Sequence, residues 1–124
     1  LINEFVNQDF IKLLPNKTVK EALSEMIKRK KSVAVVVDND DNLKGIVVKA
    51  DIYRFLSQPG HYDTYPVDLA MTKAVITANV NDDIKSIAKK LRDNDISAVP
   101  ILNDGKVMGI VGLEEIVDYY VNNY

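Results

Sequence analysis

Two stretches of about sixty residues in this chain carry the same apolar pattern, and that duplication constrains the fold more than any single motif. Thr18 to Ile27 lies over Asp83 to Arg92 with matched apolar positions: Val19 with Ile84, Ala22 with Ile87, Met26 with Leu91. At the same shift Ser32 to Val37 falls on Ser97 to Leu102. Past a loop one residue longer in the first repeat, Gly45-Ile46-Val47 matches Gly109-Ile110-Val111, and Asp51-Ile52 matches Glu115-Ile116. The period is too long and the copies too few for a solenoid. A unit used twice predicts an internally symmetric, pseudo-twofold molecule in which any site exists in two related versions.

Periodicity assigns the elements. Val19, Ala22, Leu23, Met26 and Ile27 form a helical stripe, and Ile84, Ile87, Ala88 and Leu91 repeat most of it. Thr18 with Glu21 predicts one N-cap, and Asn81 or Asp82 the other. Uninterrupted apolar runs, Val33 to Val37 and Ala98 to Leu102, read as buried strands. Turn residues follow in each repeat, Asp38 to Asn42 and Asn103 to Gly105, and then Leu43 to Val48 and Lys106 to Val111 complete two hairpins. Shorter helices close the repeats, with Ile52, Phe55 and Leu56 in one and Ile116, Val117, Tyr120 and Val121 in the other. Extended pieces, Phe10 to Leu14 and Ala74 to Ala78, precede the main helices. Each repeat therefore reads strand, helix, strand, strand, helix. Breakers between Ser57 and Pro66 join the halves. The expected organisation is a first repeat with its lead-in over residues 1–57, a linker over 58–66, and a second repeat over 67–124.

Composition narrows the function classes. A net charge of −2 lacks the clustered positive charge that a nucleic-acid or anionic-membrane surface needs. No stretch reaches the roughly 18 apolar residues of a spanning helix, and no signal-peptide pattern is present. The absence of cysteine removes disulfide and thiol chemistry and is compatible with a cytoplasmic setting. The chain starts at Leu1 rather than at a methionine, which leaves open both a complete protein and a piece of a longer one with an output domain in the remainder.

Several local signals favour ordinary structure. Asp38 to Asn42 resembles the front of a calcium loop, but Leu43 stands where glycine is needed and Lys49 where the closing glutamate belongs, so a hairpin turn is expected and no metal site. Lys28 to Lys31 ends a helix, where cations complement the dipole. His61 is the single histidine and lies in the Pro-Gly linker without a partner that would make it a ligand or a base, so it reads as a loop residue. The scattered Met26, Met71 and Met108 read as core filler. No nucleophile–base set or phosphate-cradling loop appears, so no enzyme is expected.

The order of elements, with Met71-Thr72, Ile96 to Ile101, Asp104-Gly105 and Gly109-Ile110-Val111 in one repeat and Val35 to Asp38 and Lys44 to Ile52 in the other, resembles a tandem pair of cystathionine-β-synthase (CBS) domains, a Bateman module. The likeness runs from about Ile2 to Val121. It implies an α/β (α+β) fold of two β-α-β-β-α repeats packed through their sheets. It also implies a regulatory module for an adenosine-containing ligand (AMP, ADP, ATP, S-adenosylmethionine or cyclic di-AMP) held between the repeats, and a homodimer.

The family's ligand motif runs glycine, two apolar residues, Ser or Thr, two variable residues, Asp. Its carboxylate accepts the ribose hydroxyls, while the hydroxyl and nearby N–H groups serve phosphate. The first repeat offers Gly45-Ile46-Val47-Val48-Lys49-Ala50-Asp51, keeping the acid and replacing the hydroxyl by Val48. The second offers Gly109-Ile110-Val111-Gly112-Leu113-Glu114-Glu115, with Gly112 at the hydroxyl position and a longer acid. Both motifs run into a helix start, where free N–H groups can hold an anion. The resemblance sets Asp51 toward Met71, Thr72 and Ile76, with Thr72 contacting phosphate or base and Lys73 as a charge partner. It sets Glu115 toward Val6, Asn7 and Ile11. Capping its own helix is the competing role for Asp51. Two functions stay open: an adenosyl-ligand sensor governing an output domain, or a degenerate pair kept for dimerisation with empty clefts.

Overall fold

The structure, a computed structural model, describes residues 5–122. Its elements are β1 (Ile11–Leu13), α1 (Val19–Lys28), β2 (Val33–Val37), β3 (Leu43–Val48), α2 (Lys49–Leu56), β4 (Ala78–Asn79), α3 (Ile84–Asp93), β5 (Ala98–Asn103), β6 (Lys106–Gly112) and α4 (Leu113–Asn122), with one 3₁₀ turn at Val67–Leu69. Each repeat follows the expected order and builds a three-stranded sheet. β1 pairs parallel to β2, which pairs antiparallel to β3; β4, β5 and β6 repeat the arrangement. Both hairpins shift register at the matching place, Val36/Val37 and Ile101/Leu102. The second closes through Asp104 and Gly105, both at positive φ, the geometry of a tight hairpin turn. The first uses the longer Asp38 loop.

In that loop the Asp38 carboxylate accepts the Asp40 and Asn42 N–H groups at 2.9 Å each and the Asn42 side-chain amide at 3.0 Å. The amide of Asn42 first, then its N–H, hold the Asp38 carboxyl below its ordinary range. The loop's leading carboxylate is thus spent on shaping the turn.

Two compact units emerge, and their boundaries cut across the sequence repeats. One is residues 10–75; the other is residues 5–9 with 76–122. The first unit's core gathers Ile11, Leu13, Val19, Ala22, Met26, Val36, Val47, Ile52 and Phe55. The second gathers Phe5, Ile87, Leu91, Val99, Ile101, Val111 and Ile116. Burying these side chains is the main favourable term in each unit, at about 25 cal/mol per Å² removed from water.

Four sequence expectations need correction. Ile27 does not belong to the buried stripe of α1 and is exposed, because that position has rotated past the core-facing arc. The N-cap of α3 is Asp83, which accepts the Ser86 N–H at 2.8 Å. Asp82 is occupied one turn earlier, accepting the Asn79 N–H at 2.9 Å. The strand expected at Ala74 to Ala78 forms only at Ala78 and Asn79, because the residues before it carry the chain from one unit to the next. In α4 only Ile116 is buried; Val117, Tyr120 and Val121 are exposed.

The linker is fixed rather than loose. Tyr65 O accepts the Val19 N–H at 2.8 Å and Asp63 O accepts the Lys20 N–H at 2.9 Å, while Thr18 and Glu21 complete a capping box. The linker therefore satisfies two of the orphan N–H groups at the start of α1. His61 stacks on Phe55, centroids 4.2 Å apart, and its Nδ1 lies 2.8 Å from Phe55 O.

Candidate functional site

The two versions of the motif sit where a strand runs directly into a helix: β3 into α2, and β6 into α4. Val48 ends β3 opposite Val33 and stands as N-cap of α2, offering no side-chain acceptor to the helix. Lys49 opens the helix and donates its N–H to Ser32 O at 2.9 Å. Asp51 lies in the first turn, half-buried.

Each junction is completed by a lead-in segment from the other sequence repeat. Thr72 and Ile46 exchange backbone hydrogen bonds of 2.8 and 3.0 Å. Asn7 and Ile110 do the same at 2.9 and 3.1 Å. The matched glycines make this approach feasible. A Cβ on Gly45 would collide with the Met71 side chain and stand 2.9 Å from Thr72 O. One on Gly109 would collide with Val6 Cγ1 and stand 2.9 Å from Asn7 O. The motif glycine thus serves close backbone approach, a role visible only once the lead-in is in place.

The acids behave differently. Asp51 pairs with Arg54 one turn along its own helix, and among the described residues that is its one charged partner. It caps nothing. Glu115 accepts the Gly112 N–H at 2.7 Å through Oε1, and Asn7 Nδ2 approaches its Oε2 at 3.4 Å. Glu115 occupies the third helical position and reaches back to the residue before the helix, the carboxylate half of a capping box. The capping role weighed for Asp51 falls to Glu115.

The remaining expected site residues divide. Met71 packs against the first unit's core beside Gly45, and Thr72 lies exposed on Ile46 through its backbone. No hydrogen bond joins Thr72 to Asp51 among the described residues. Lys73 is exposed. Ile76 packs on the second unit's core, and Ile11 is fully buried in the core of the first. Val6 and Asn7, by contrast, line with Glu115, Asp118 and Tyr119 a cavity of about 320 Å³ in the second unit. No group of His, Asp or Glu among the described residues could hold a metal ion. No described helix is long and apolar enough to cross a membrane.

The CBS domain family model matches residues 2–58 and 67–122. This chain belongs to the CBS domain family. It carries the domain twice, as a tandem pair. Over 119 residues it is 29% identical to homoserine O-acetyltransferase of Methanococcus vannielii, covering 95% of this chain and 24% of that protein. It is 30% identical to L-aspartate semialdehyde sulfurtransferase of Methanocaldococcus jannaschii, covering 94% and 22%. The pair therefore spans about a quarter of the length of these curated relatives. Among solved structures, a CBS domain pair in complex with 5′-methylthioadenosine and S-adenosyl-L-methionine superposes at a TM-score of 0.88 with 28% identity, covering 100% of this chain and 98% of that one. A conserved protein of Pyrococcus horikoshii superposes at 0.87 with 29% identity, covering 96% and 90%.

Proposed function

We propose that this CBS pair is a regulatory module that takes an adenosyl ligand at the β3–α2 junction, with Asp51 accepting the ribose hydroxyls, and that it governs an output domain attached to or partnered with it. The observation that carries the reading is the state of Asp51. Among the described residues its carboxylate is tied only to a surface arginine on its own helix, and exchanging a solvent-screened ion pair for charge-assisted hydroxyl bonds costs little. Glu115 is already committed to Gly112 and Asn7, so the two junctions differ in availability.

The ligand's lower half follows from Val48. Methyl groups stand where the family motif has a hydroxyl for phosphate, which suits an apolar 5′ substituent better than a triphosphate. The related pair that holds 5′-methylthioadenosine and S-adenosyl-L-methionine supports this class, since neither compound carries phosphate. Ligand control would work by differential affinity for two arrangements of the protein. Catalysis in the longer relatives belongs, on this reading, to the part of those proteins outside the pair.

A thermal-shift and calorimetric series with 5′-methylthioadenosine, S-adenosylmethionine, AMP, ATP and cyclic di-AMP tests the proposal. Ligand at a hundred times its Kd stabilises by about 2.7 kcal/mol, well within detection. The expected order places the phosphate-free compounds first. Silence across the whole series would instead favour the pair as a dimerisation module without ligand, the reading that the missing hydroxyls at Val48 and Gly112 support.

A further inference from the structure

A cavity of about 400 Å³ lies at the start of α3 in the second unit. Phe5, Val80, Ile84 and Tyr119 make it apolar, Asp82 and Asp83 supply its charge, and no base lines it. The Phe5 and Tyr119 rings meet edge to face, centroids 5.4 Å apart. The first unit shows what such a place holds. By the repeat match Ile84 and Lys85 stand for Val19 and Lys20, and Tyr119 stands for Phe55. There the linker lies across the helix start. Tyr65 O and Asp63 O accept the Val19 and Lys20 N–H groups, and the His61 and Tyr65 rings lie 4.2 and 6.1 Å from that of Phe55. In the second unit the N-cap Asp83 accepts the Ser86 N–H, but among the described residues no acceptor meets the N–H of Ile84 or Lys85. Two orphan donors thus stand beside an open apolar cavity, where the other repeat has both donors bonded and the aromatic ring covered.

We infer that this cavity docks an extended segment of a partner polypeptide, bound as the linker is bound on α1. The segment presents alternate carbonyls to Ile84 and Lys85 and an aromatic side chain to Phe5 and Tyr119. This chain's own linker is already committed to Val19 and Lys20, so the segment comes from another polypeptide. Its charge follows from an exchange between the repeats. Lys17 and Thr18 at the linker's seat become Asp82 and Asp83 at the vacant one. The linker brings Asp63 to the basic seat; the acidic seat fits a lysine or arginine at that place. Lys90 Nζ, 3.6 Å from Asp82, already offsets part of the charge, so the added base contributes as an exposed pair does. The carbonyls and the aromatic side chain carry the rest.

The probe is a peptide with the linker's sequence over residues 59–66 carrying Asp63→Lys, blocked at both ends and titrated onto the full chain. Nuclear magnetic resonance shifts of the backbone amides read the contact. Those of Ile84 and Lys85 should move, while those of Val19 and Lys20, already bonded to the linker, should stay. The peptide that keeps Asp63 should bind about threefold to fivefold more weakly, the effect of one exposed pair. Ile84→Pro removes the N–H at the first helical position, where proline is tolerated, and Ile84→Ala keeps it while trimming the same side chain. With circular dichroism verifying both folds, the proline variant should bind about fivefold more weakly than the alanine one, the effect of one neutral hydrogen bond. Silent Ile84 and Lys85 amides overturn the inference, as does equal binding by the two variants. If the unaltered linker peptide binds as tightly as the lysine form, a second copy's linker is the occupant and the partner polypeptide is ruled out. No adenosyl ligand enters the assay, so its outcome is separate from that of the β3–α2 reading.

Discussion

Thr72 and Ile46 exchange both backbone hydrogen bonds although they come from different sequence repeats, and Asn7 and Ile110 do the same in the other direction. Each compact unit is thus one repeat finished by a lead-in of the other. The glycine at each junction is where that completion is most easily broken. Gly45→Ala should destabilise the protein by about 1–3 kcal/mol, the usual cost of overpacking a filled site. Adding Met71→Ala should recover part of the loss but not all, since Thr72 O, a backbone atom, still stands 2.9 Å from the new Cβ. Denaturant midpoints of the three proteins decide it, and full recovery in the double variant would show that the backbone contact carries no cost.

How far the sequence carried these conclusions depends on the range of the interaction. Local periodicity located the helices and hairpins, and the Thr18–Glu21 capping box is a spacing rule that the structure obeys. The lead-in pairing leaves no local trace, because strand partners far apart in sequence do not show in periodicity; only the family resemblance set Met71 and Thr72 toward the Asp51 junction, and Val6 and Asn7 toward that of Glu115. The capping role weighed for Asp51 is found at Glu115 instead, for a similar reason. Asp is the stronger cap by residue type, but the longer Glu115 side chain reaches back three residues to Gly112. His61 looked idle because its partner, the Phe55 carbonyl at the end of α2, is defined only by the fold.

The His61 contact yields a separate expectation. A carbonyl only accepts, so Nδ1 carries the hydrogen that Phe55 O receives. His61→Ala removes this bond and the stacked ring, and it loosens the linker that supplies Tyr65 O and Asp63 O to α1. Amide exchange at Val19 and Lys20 should accelerate, with a global loss of about 1 kcal/mol for a neutral hydrogen bond. Unchanged protection at both amides would mean that the linker holds its place without His61.

Acid sensitivity follows from two carboxyl groups. Thr18 lowers the pKa of Glu21, through its backbone N–H first and its hydroxyl second, and Asn42 chiefly lowers that of Asp38. A group depressed on folding stabilises the native state above its unfolded pKa, and that contribution disappears as pH falls through the folded value. Stability should therefore be flat near neutrality and decline below the ordinary carboxylate values of 4.5 and 3.8. Asp38→Asn should flatten part of that decline. A variant whose acid limb retains the wild-type slope would show that the Asp38 loop opens without cost to the fold.

The two junction acids should separate in a crossed experiment. Asp51→Ala removes a screened ion pair with Arg54, so stability should change by no more than about 1 kcal/mol. It also removes the proposed acceptor of the ribose hydroxyls, and one charge-assisted bond of about 1.5–3 kcal/mol corresponds to at least tenfold in affinity for a ribonucleoside ligand. Glu115→Ala should do the reverse. It leaves the Gly112 N–H without its 2.7 Å partner and costs about 1 kcal/mol of stability, with little effect on binding at the β3–α2 junction. The 2′-deoxy form of the same ligand supplies the control: it should bind wild type more weakly, and Asp51→Ala should lose little further, because the carboxylate and the hydroxyl are two ends of one interaction. Calorimetry alongside thermal unfolding reads both axes. If Asp51→Ala keeps wild-type affinity while Glu115→Ala loses it, the ligand sits at the β6–α4 junction, and the carboxylate engaged with Gly112 and Asn7 must give up those partners to bind.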